Sequence, residues 1–368
     1  MSAGLDPDAS RGYLSVDELA ELDPLPATAE APEDVQRMLR SDLGLFVRSD
    51  AQPALDVATE EVPGAPGFWR VVDRSGQLRT VVPGQEQAEA DPDESARGES
   101  EPAATEAYRP PWAEQHFLPR LVPFRSPEGP RGHTYLEPRA PRPATAAEAQ
   151  EAPHVPYPWR TVGRVFSTGG PSGPESGSGV LVGPNLMLTA SHVAPWGSSN
   201  WSMEFVPGMR FGERPFGSSF VREFRGYRTE PEVSGKDYVV CRLYQPLGNA
   251  LGWMGGQSWG DEDEYYRRRF TSSGYPGTFG GRPAVEHNIA VVDIDNDSPG
   301  LEVEVSFGHP LTAGWSGGPL WFFAGQSPMI VGVLSGSEKD EFDPRRHVFA
   351  AGRGFVDLIK FGLANWPP

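Results

Sequence analysis

Thr161-Val162-Gly163-Arg164-Val165-Phe166-Ser167, Gly179-Val180-Leu181-Val182-Gly183 and Leu186-Met187-Leu188-Thr189-Ala190-Ser191 are three apolar runs within residues 161–191. Each is as long as a strand and is fenced by Gly, Pro, Asn or Ser. None carries the 3.6-residue stripe of an amphipathic helix. The same texture continues through Met203–Gly208, Tyr238–Tyr244, Asn288–Ile294, Leu301–Phe307, Pro319–Phe323, Met329–Gly336 and His347–Ala351. About ten short strands over roughly 200 residues predict an all-β unit, an antiparallel sandwich or a pair of barrels. Only Gly354–Asn365 has helical spacing, with Phe355, Leu358, Ile359 and Leu363 on one side. It reads as a C-terminal helix closing the β-unit.

Upstream the composition changes near residue 153. Residues 1–150 carry 27 acidic and 14 basic side chains, so most of the chain's net charge of −18 lies there. The chain holds 39 Pro in 368 residues, more than twice the usual share of about 5%. Gln85–Pro153 is rich in Ala, Pro and Glu and short of β-branched residues, so it reads as disordered or extended. Ser15–Glu21 and Ala31–Phe46 have acidic starts and apolar spacing suited to short helices. Phe68–Val72 and Leu78–Val82 flank Arg74-Ser75-Gly76-Gln77 and predict one hairpin. The expected organisation is an acidic leader over 1–84, a linker over 85–153, and a β-domain over 154–368.

Several classes of function drop out. So acidic a chain repels phosphate backbones, which argues against a nucleic-acid partner. A single cysteine, Cys241, excludes an internal disulfide framework and a multi-cysteine zinc site. The N-terminal Met1–Ser10 lacks the basic and apolar regions of a secretory signal, and no run reaches the roughly 18 apolar residues of a membrane helix. A cytoplasmic protein with no membrane partner is expected.

Three strings place a reactive side chain beside tight-turn residues at a strand end: Leu188-Thr189-Ala190-Ser191-His192-Val193, Gly235-Lys236-Asp237-Tyr238-Val239-Val240 and Gly314-Trp315-Ser316-Gly317-Gly318-Pro319. A serine hydroxyl is a weak nucleophile until a base takes its proton, and that base needs a carboxylate to orient it. Ser316, His192 and Asp237 supply those types. The glycines let backbone N–H groups face a developing oxyanion. Each string alone suits a structural histidine or an ordinary turn; together, in this order and in a β-rich stretch, they point to acyl transfer.

The three strings resemble the histidine, aspartate and serine boxes of chymotrypsin-like serine proteases, in that family's order. The resemblance covers roughly residues 157–368. It is nearest to the cysteine-poor branch that includes bacterial glutamyl endopeptidases, with Tyr157-Pro158-Trp159-Arg160 as the entry and Ser176-Gly177-Ser178-Gly179 leading to the histidine strand. It implies two packed six-stranded antiparallel barrels and a serine endopeptidase acting on protein or peptide substrates without a cofactor or metal. It further implies His192, Asp237 and Ser316 as the triad and the N–H groups of Gly314 and Ser316 as the oxyanion hole. Ser335, Gly336, Ser337 and Pro310 would line the substrate groove, with Ser335 also supporting Asp237. A catalytically inactive binding module, or an ester or amide hydrolase with the same triad, remains open. The acidic leader would cover the cleft or dock a partner.

The departures from the family matter too. Trp315 stands where trypsin-type enzymes keep an acid that captures a freshly cut N-terminus, and Arg160-Thr161-Val162-Gly163 resembles a zymogen cleavage site. Pro310 occupies the place of the pocket-floor aspartate, and Leu334 that of the glutamyl endopeptidases' histidine. His309 and His347 lie in segments able to approach the pocket. Elsewhere Asp293, Asp295, Asp297 and Glu304 have calcium-loop spacing but lack the turn glycine, so a solvated hairpin is expected. Asp261–Glu264 followed by Arg267–Arg269 reads as a charge-compensated loop. Trp196, Trp201, Trp253 and Trp259 read as packing anchors, and Cys241 as a buried small side chain.

Overall fold

The computed structural model describes residues 14–40, 59–61, 69–72, 78–81, 83–91, 101–118, 156–170, 175–210, 212, 214–228, 233–277, 282–338 and 345–368. In the leader, Val16–Glu21 and Glu33–Arg40 are helical, α1 and α2, so residues 41–46 of the second expected helix lie outside the described part. Ser15 caps α1 in a capping box with Glu18. The expected hairpin is present: β2 (Trp69–Val72) pairs with β3 (Leu78–Val81), and β1 (Thr59–Glu61) joins β2 on the other side.

The linker stretch contains β4 (Glu86–Glu89) and β5 (Ala103–Ala104). Both are extended, as the composition indicates, yet they are seated on the β-domain. β4 lies parallel to a strand of that domain, Ser219–Gly226, and its flanks continue the ladder through Gln85 N–H to Arg222 O at 2.7 Å and Ala90 N–H to Gly226 O at 2.8 Å. Its residue Gln87 closes three hydrogen bonds on the loop after His192. The amide donates to Pro195 O at 2.8 Å and Ser198 O at 3.0 Å and accepts from Gly197 N–H at 2.9 Å. A Pro/Ala/Glu-rich segment cannot make a core of its own, but it can satisfy its backbone on an existing sheet edge.

The first half of the β-domain comprises β6 (Val162–Thr168), β7 (Glu175–Gly183), β8 (Leu186–Thr189), β9 (Ser202–Pro207), β10 (Ser219–Gly226) and β11 (Val239–Leu243). Their order, β11-β8-β7-β6-β9-β10 with β10 pairing back to β11, makes a closed six-stranded antiparallel barrel. β9 reaches only the first residues of β10, so the rest of that strand keeps the edge on which β4 is seated. The register puts Val165, Leu181, Met187, Phe205 and Cys241, all fully buried, on one face. Pro184-Asn185 turns β7 into β8.

The second half comprises β12 (Gly255–Ser258), β13 (Phe270–Gly274), β14 (Ala284–Ile289), β15 (Val291–Asp297), β16 (Gly300–Ser306), β17 (Pro319–Ala324), β18 (Ser327–Glu338) and β19 (Arg346–Ala351). Seven of these run β14-β13-β17-β18-β19-β16-β15, all antiparallel, one strand more than the expected six, while β12 pairs with β18 and β5. The extra length comes from the β15–β16 hairpin, in register from Val291↔Val305 to Asp297↔Gly300. The C-terminal helix, α3 (Arg353–Asn365), buries Phe355, Leu358 and Ile359 as its spacing predicts, whereas Leu363 is 41% exposed.

The subsidiary readings also take structural form. Arg267 bridges Asp263 and Glu264, compensating that loop's charge. Trp196 and Trp201 both pack edgewise on Phe224, and Trp259 does so on Tyr265. Cys241 is fully buried in β11, and burial pushes its thiol pKa up. On the β15–β16 hairpin, Asp293 and Glu304 both pair with Arg346. Asp293, Asp295, Asp297 and Glu304 lie on the β15–β16 hairpin, and among the described residues no cluster of His, Cys, Asp or Glu is arranged to hold a metal ion. No helix among them is long and apolar enough to cross a membrane.

Candidate active site

His192 stands in a short 3-10 turn, Ser191–Val193, directly after β8, and Asp237 stands just before β11, the strand paired with β8. Neighbouring strand ends therefore bring the two together. The Asp237 carboxylate is fully buried, and a buried charge persists only where it is paired and hydrogen-bonded. Asp237 Oδ2 lies 2.6 Å from His192 Nδ1, and Oδ1 accepts the His192 backbone N–H at 2.9 Å. Ser335 Oγ donates to Oδ2 at 2.6 Å. This holds the ring with Nδ1 on the carboxylate and Nε2 turned away from it. Burial alone would lower the His192 pKa; the Asp237 carboxylate, by charge and hydrogen bond, and Glu175 raise it, and the net shift is upward.

Ser316 lies in the turn between β16 and β17, and its carbonyl accepts the Ser178 N–H of β7 at 2.7 Å. A Cβ on Gly177 would fall 2.8 Å from Ser316 O and 2.9 Å from Val193, so the serine turn and the histidine turn abut the same glycine. Gly314 and Gly317 have φ of +95° and +81°, the left-handed region that glycine tolerates. The Ala313 carbonyl accepts from Gly277 N–H at 2.8 Å. A trans peptide points its C=O and N–H in opposite directions, so this bond turns the Gly314 N–H away from Gly277. Among the described residues nothing takes the N–H of Gly314 or of Ser316.

No family model matches the chain. Among curated proteins, a 103-residue stretch is 31% identical to exfoliative toxin A of Staphylococcus aureus, covering 26% of this chain and 34% of the toxin. The chain thus spans about a third of the length of that relative. Among solved structures, a Glu endopeptidase in complex with MPD shares 21% identity at a TM-score of 0.44, over 57% of this chain and 93% of that one. Protease Anisep from Arthrobacter nicotinovorans shares 19% at 0.43, over 56% and 97%. The chain is similar to chymotrypsin-like serine proteases.

The pairing of β18 with β17 ends at Val333, and Leu334 is still bonded to Gly317 and Gly318, while Ser337 and Glu338 pair with β19. Among the described residues the segment after Leu334 therefore keeps one edge for an incoming backbone. Ser335, Gly336 and Ser337 lie on that segment. His347, opposite Ser337 on β19, has Nδ1 2.8 Å from Ser337 Oγ and Nε2 2.9 Å from His309 O, and burial lowers its pKa. His309 Nδ1 sits 2.9 Å from Glu286. His309 and His347 thus converge beside Pro310.

Trp315 is 1% exposed, donates Nε1–H to Ser272 Oγ at 3.0 Å, and packs so tightly that a Cβ on Gly274 would come within 2.5 Å of it. Its indole fills the space beside Gly274 and Gly318. Arg160 is also buried, at 3% exposure, with Nε–H donating to Leu251 O at 2.9 Å, and Thr161 after it is fully buried. The bond between them is closed to a protease in the folded chain.

Ser178 is the residue whose importance the sequence does not announce. Fully buried, its hydroxyl accepts from Tyr275 N–H at 2.8 Å and donates to Gly314 O at 2.9 Å, while its own N–H holds Ser316 O. One barrel serine therefore orients both ends of the Gly314–Ser316 turn. A serine between two glycines at the start of a strand was the available signal.

Proposed function

We propose that the chain is a serine endopeptidase that cleaves peptide bonds through an acyl-enzyme. The observation that carries this reading is the buried Asp237 bonded to His192 Nδ1 and Ser335, with the His192 and Ser316 turns abutting the same glycine, Gly177. Ser316 Oγ would attack the scissile carbonyl as His192 Nε2 takes its proton. The N–H groups of Gly314 and Ser316 would receive the oxyanion, and His192 would return the proton to the leaving amine. Asp237 would stabilise the imidazolium without itself taking the proton. Substrate backbone would add to the free edge of β18.

With the Ala313 carbonyl already bonded to Gly277 and Trp315 filling the neighbouring space, the oxyanion site needs no captured N-terminus. Peptide-library cleavage by the intact chain beside an Arg160→Gln variant tests this. Both are expected to cut the same peptides. Cleavage that appears only after a cut at residue 160 would refute it, and labelling by a fluorophosphonate without any peptide cleavage would favour the ester or amide hydrolase.

The pH profile follows from the histidine. The base must be neutral, so kcat/KM is expected to rise with pH through the His192 ionisation, with a midpoint above the ordinary imidazole value of 6.5. Asp237→Asn removes the charge that raises it, so its residual activity is expected to rise at lower pH. A midpoint that does not move in this variant would show that Asp237 does not act on His192.

A further inference from the structure

The candidate triad is divided between the two halves of the β-domain. His192 and Asp237 come from the closed barrel; Ser316 and Ser335 come from the second sheet. Whatever fixes one half on the other also sets the distance between base and nucleophile. The turn that ends in Asp237, Ser234-Gly235-Lys236, is where the halves are stitched together.

Three donors of that turn converge on one carboxylate of the β15–β16 hairpin. Ser234 Oγ–H donates to Asp297 Oδ2 at 2.5 Å, and Gly235 N–H donates to the same oxygen at 3.0 Å. Lys236 Nζ pairs with Asp297 Oδ1 at 2.7 Å. Glu302, across the hairpin, gives Gly235 N–H a second acceptor at 3.1 Å. Ser234 N–H reaches Ser335 Oγ at 3.3 Å, the same hydroxyl that donates to Asp237. Below these bonds the two backbones touch. A Cβ on Gly300 would fall 2.1 Å from Gly235 O, and one on Gly235 would fall 2.7 Å from Leu301 C.

We infer that Asp297, assisted by Glu302, is a positioning residue for Asp237: a carboxylate on the second sheet that holds the aspartate turn of the barrel in register with Ser316. The inference rests on the serine-hydrolase reading for its effect on rate, but its geometric content does not. Two oxygens of one carboxylate take a hydroxyl, an amide and an ammonium together, and charge-assisted bonds of this kind are short and directional. The ion pair with Lys236 is part-exposed and contributes little by itself. What the carboxylate supplies is placement, and small misplacements of a catalytic group from a distant site cost up to about 100-fold in rate.

The test uses the full chain as wild type, Asp297→Ala, Asp297→Asn and Ser234→Ala, each checked by circular dichroism. The rate of fluorophosphonate labelling and the proton resonance of His192 Nδ1–H, strongly deshielded by Asp237, are both recorded. Asp297→Ala is expected to label about 10- to 100-fold more slowly and to shift or broaden that resonance. Asp297→Asn and Ser234→Ala, which each lose only part of the cluster, are expected to fall between it and wild type. On a cleaved peptide the loss is expected in kcat with KM little changed. Wild-type rate and resonance in the folded variants would overturn the inference; if Asp297→Ala does not fold, the other two decide. Should the wild type fail to label, the functional reading falls, while the resonance still decides whether Asp297 holds Asp237.

Discussion

Ser316→Ala is expected to fold as the parent chain does and to lose about 10⁴-fold or more in peptide turnover. The substitution removes one hydroxyl oxygen from a turn whose fixed points are backbone. These are Ser178 N–H on Ser316 O, Gly317 N–H on Leu334 O at 2.8 Å and Gly318 N–H on Trp315 O at 2.7 Å. None depends on the serine side chain, so stability is expected to stay near that of the parent. Because nucleophile and base act as a unit, Ser316→Ala combined with His192→Ala is expected to be hardly slower than the worse single variant. Turnover of one cleaved peptide by the four proteins is the measurement. Additive losses would mean that the two side chains do not share a step.

Gly317→Ala is expected to damage fold and activity together. Its φ of +81° costs an L-residue about 1–2 kcal/mol. The added methyl would also lie 2.2 Å from Thr189 Oγ1, 2.3 Å from Ser178 O and 2.8 Å from Ala190 N. Two of these atoms belong to the backbone of the closed barrel and cannot swing aside as a flexible side chain could. The serine turn must back away from the histidine turn instead. A stability loss of about 3 kcal/mol or more is expected from urea unfolding, with labelling slowed by about 100-fold or more. Parent-like stability and labelling would show that the two turns are not pressed together as described.

Much of this was legible in the sequence because the relevant signals are short-range. Strand-length apolar runs bounded by glycine predict the β-elements, and residues flanking Asp237 and His192 fall at the ends of adjacent strands. The spacing of Phe355, Leu358 and Ile359 gives the buried face of α3. What stayed hidden depends on long-range pairing. Gln87 reads as one more polar residue in a linker, and only the parallel placement of β4 beside β10 reveals that it ties down the loop after His192. Asp297 reads as part of an acidic, calcium-like run; its partners, Ser234, Gly235 and Lys236, are some 60 residues away. Leu363 shares the apolar side of α3 yet is exposed, because periodicity assigns a side without saying where the neighbouring surface ends.

The most direct measurement is mass-spectrometric mapping of the fluorophosphonate adduct on the intact, uncut chain. A single adduct on Ser316 is expected, absent from Ser316→Ala and strongly reduced in His192→Ala. No adduct on the intact chain, or one carried by another serine and retained in Ser316→Ala, would contradict the assignment of this site.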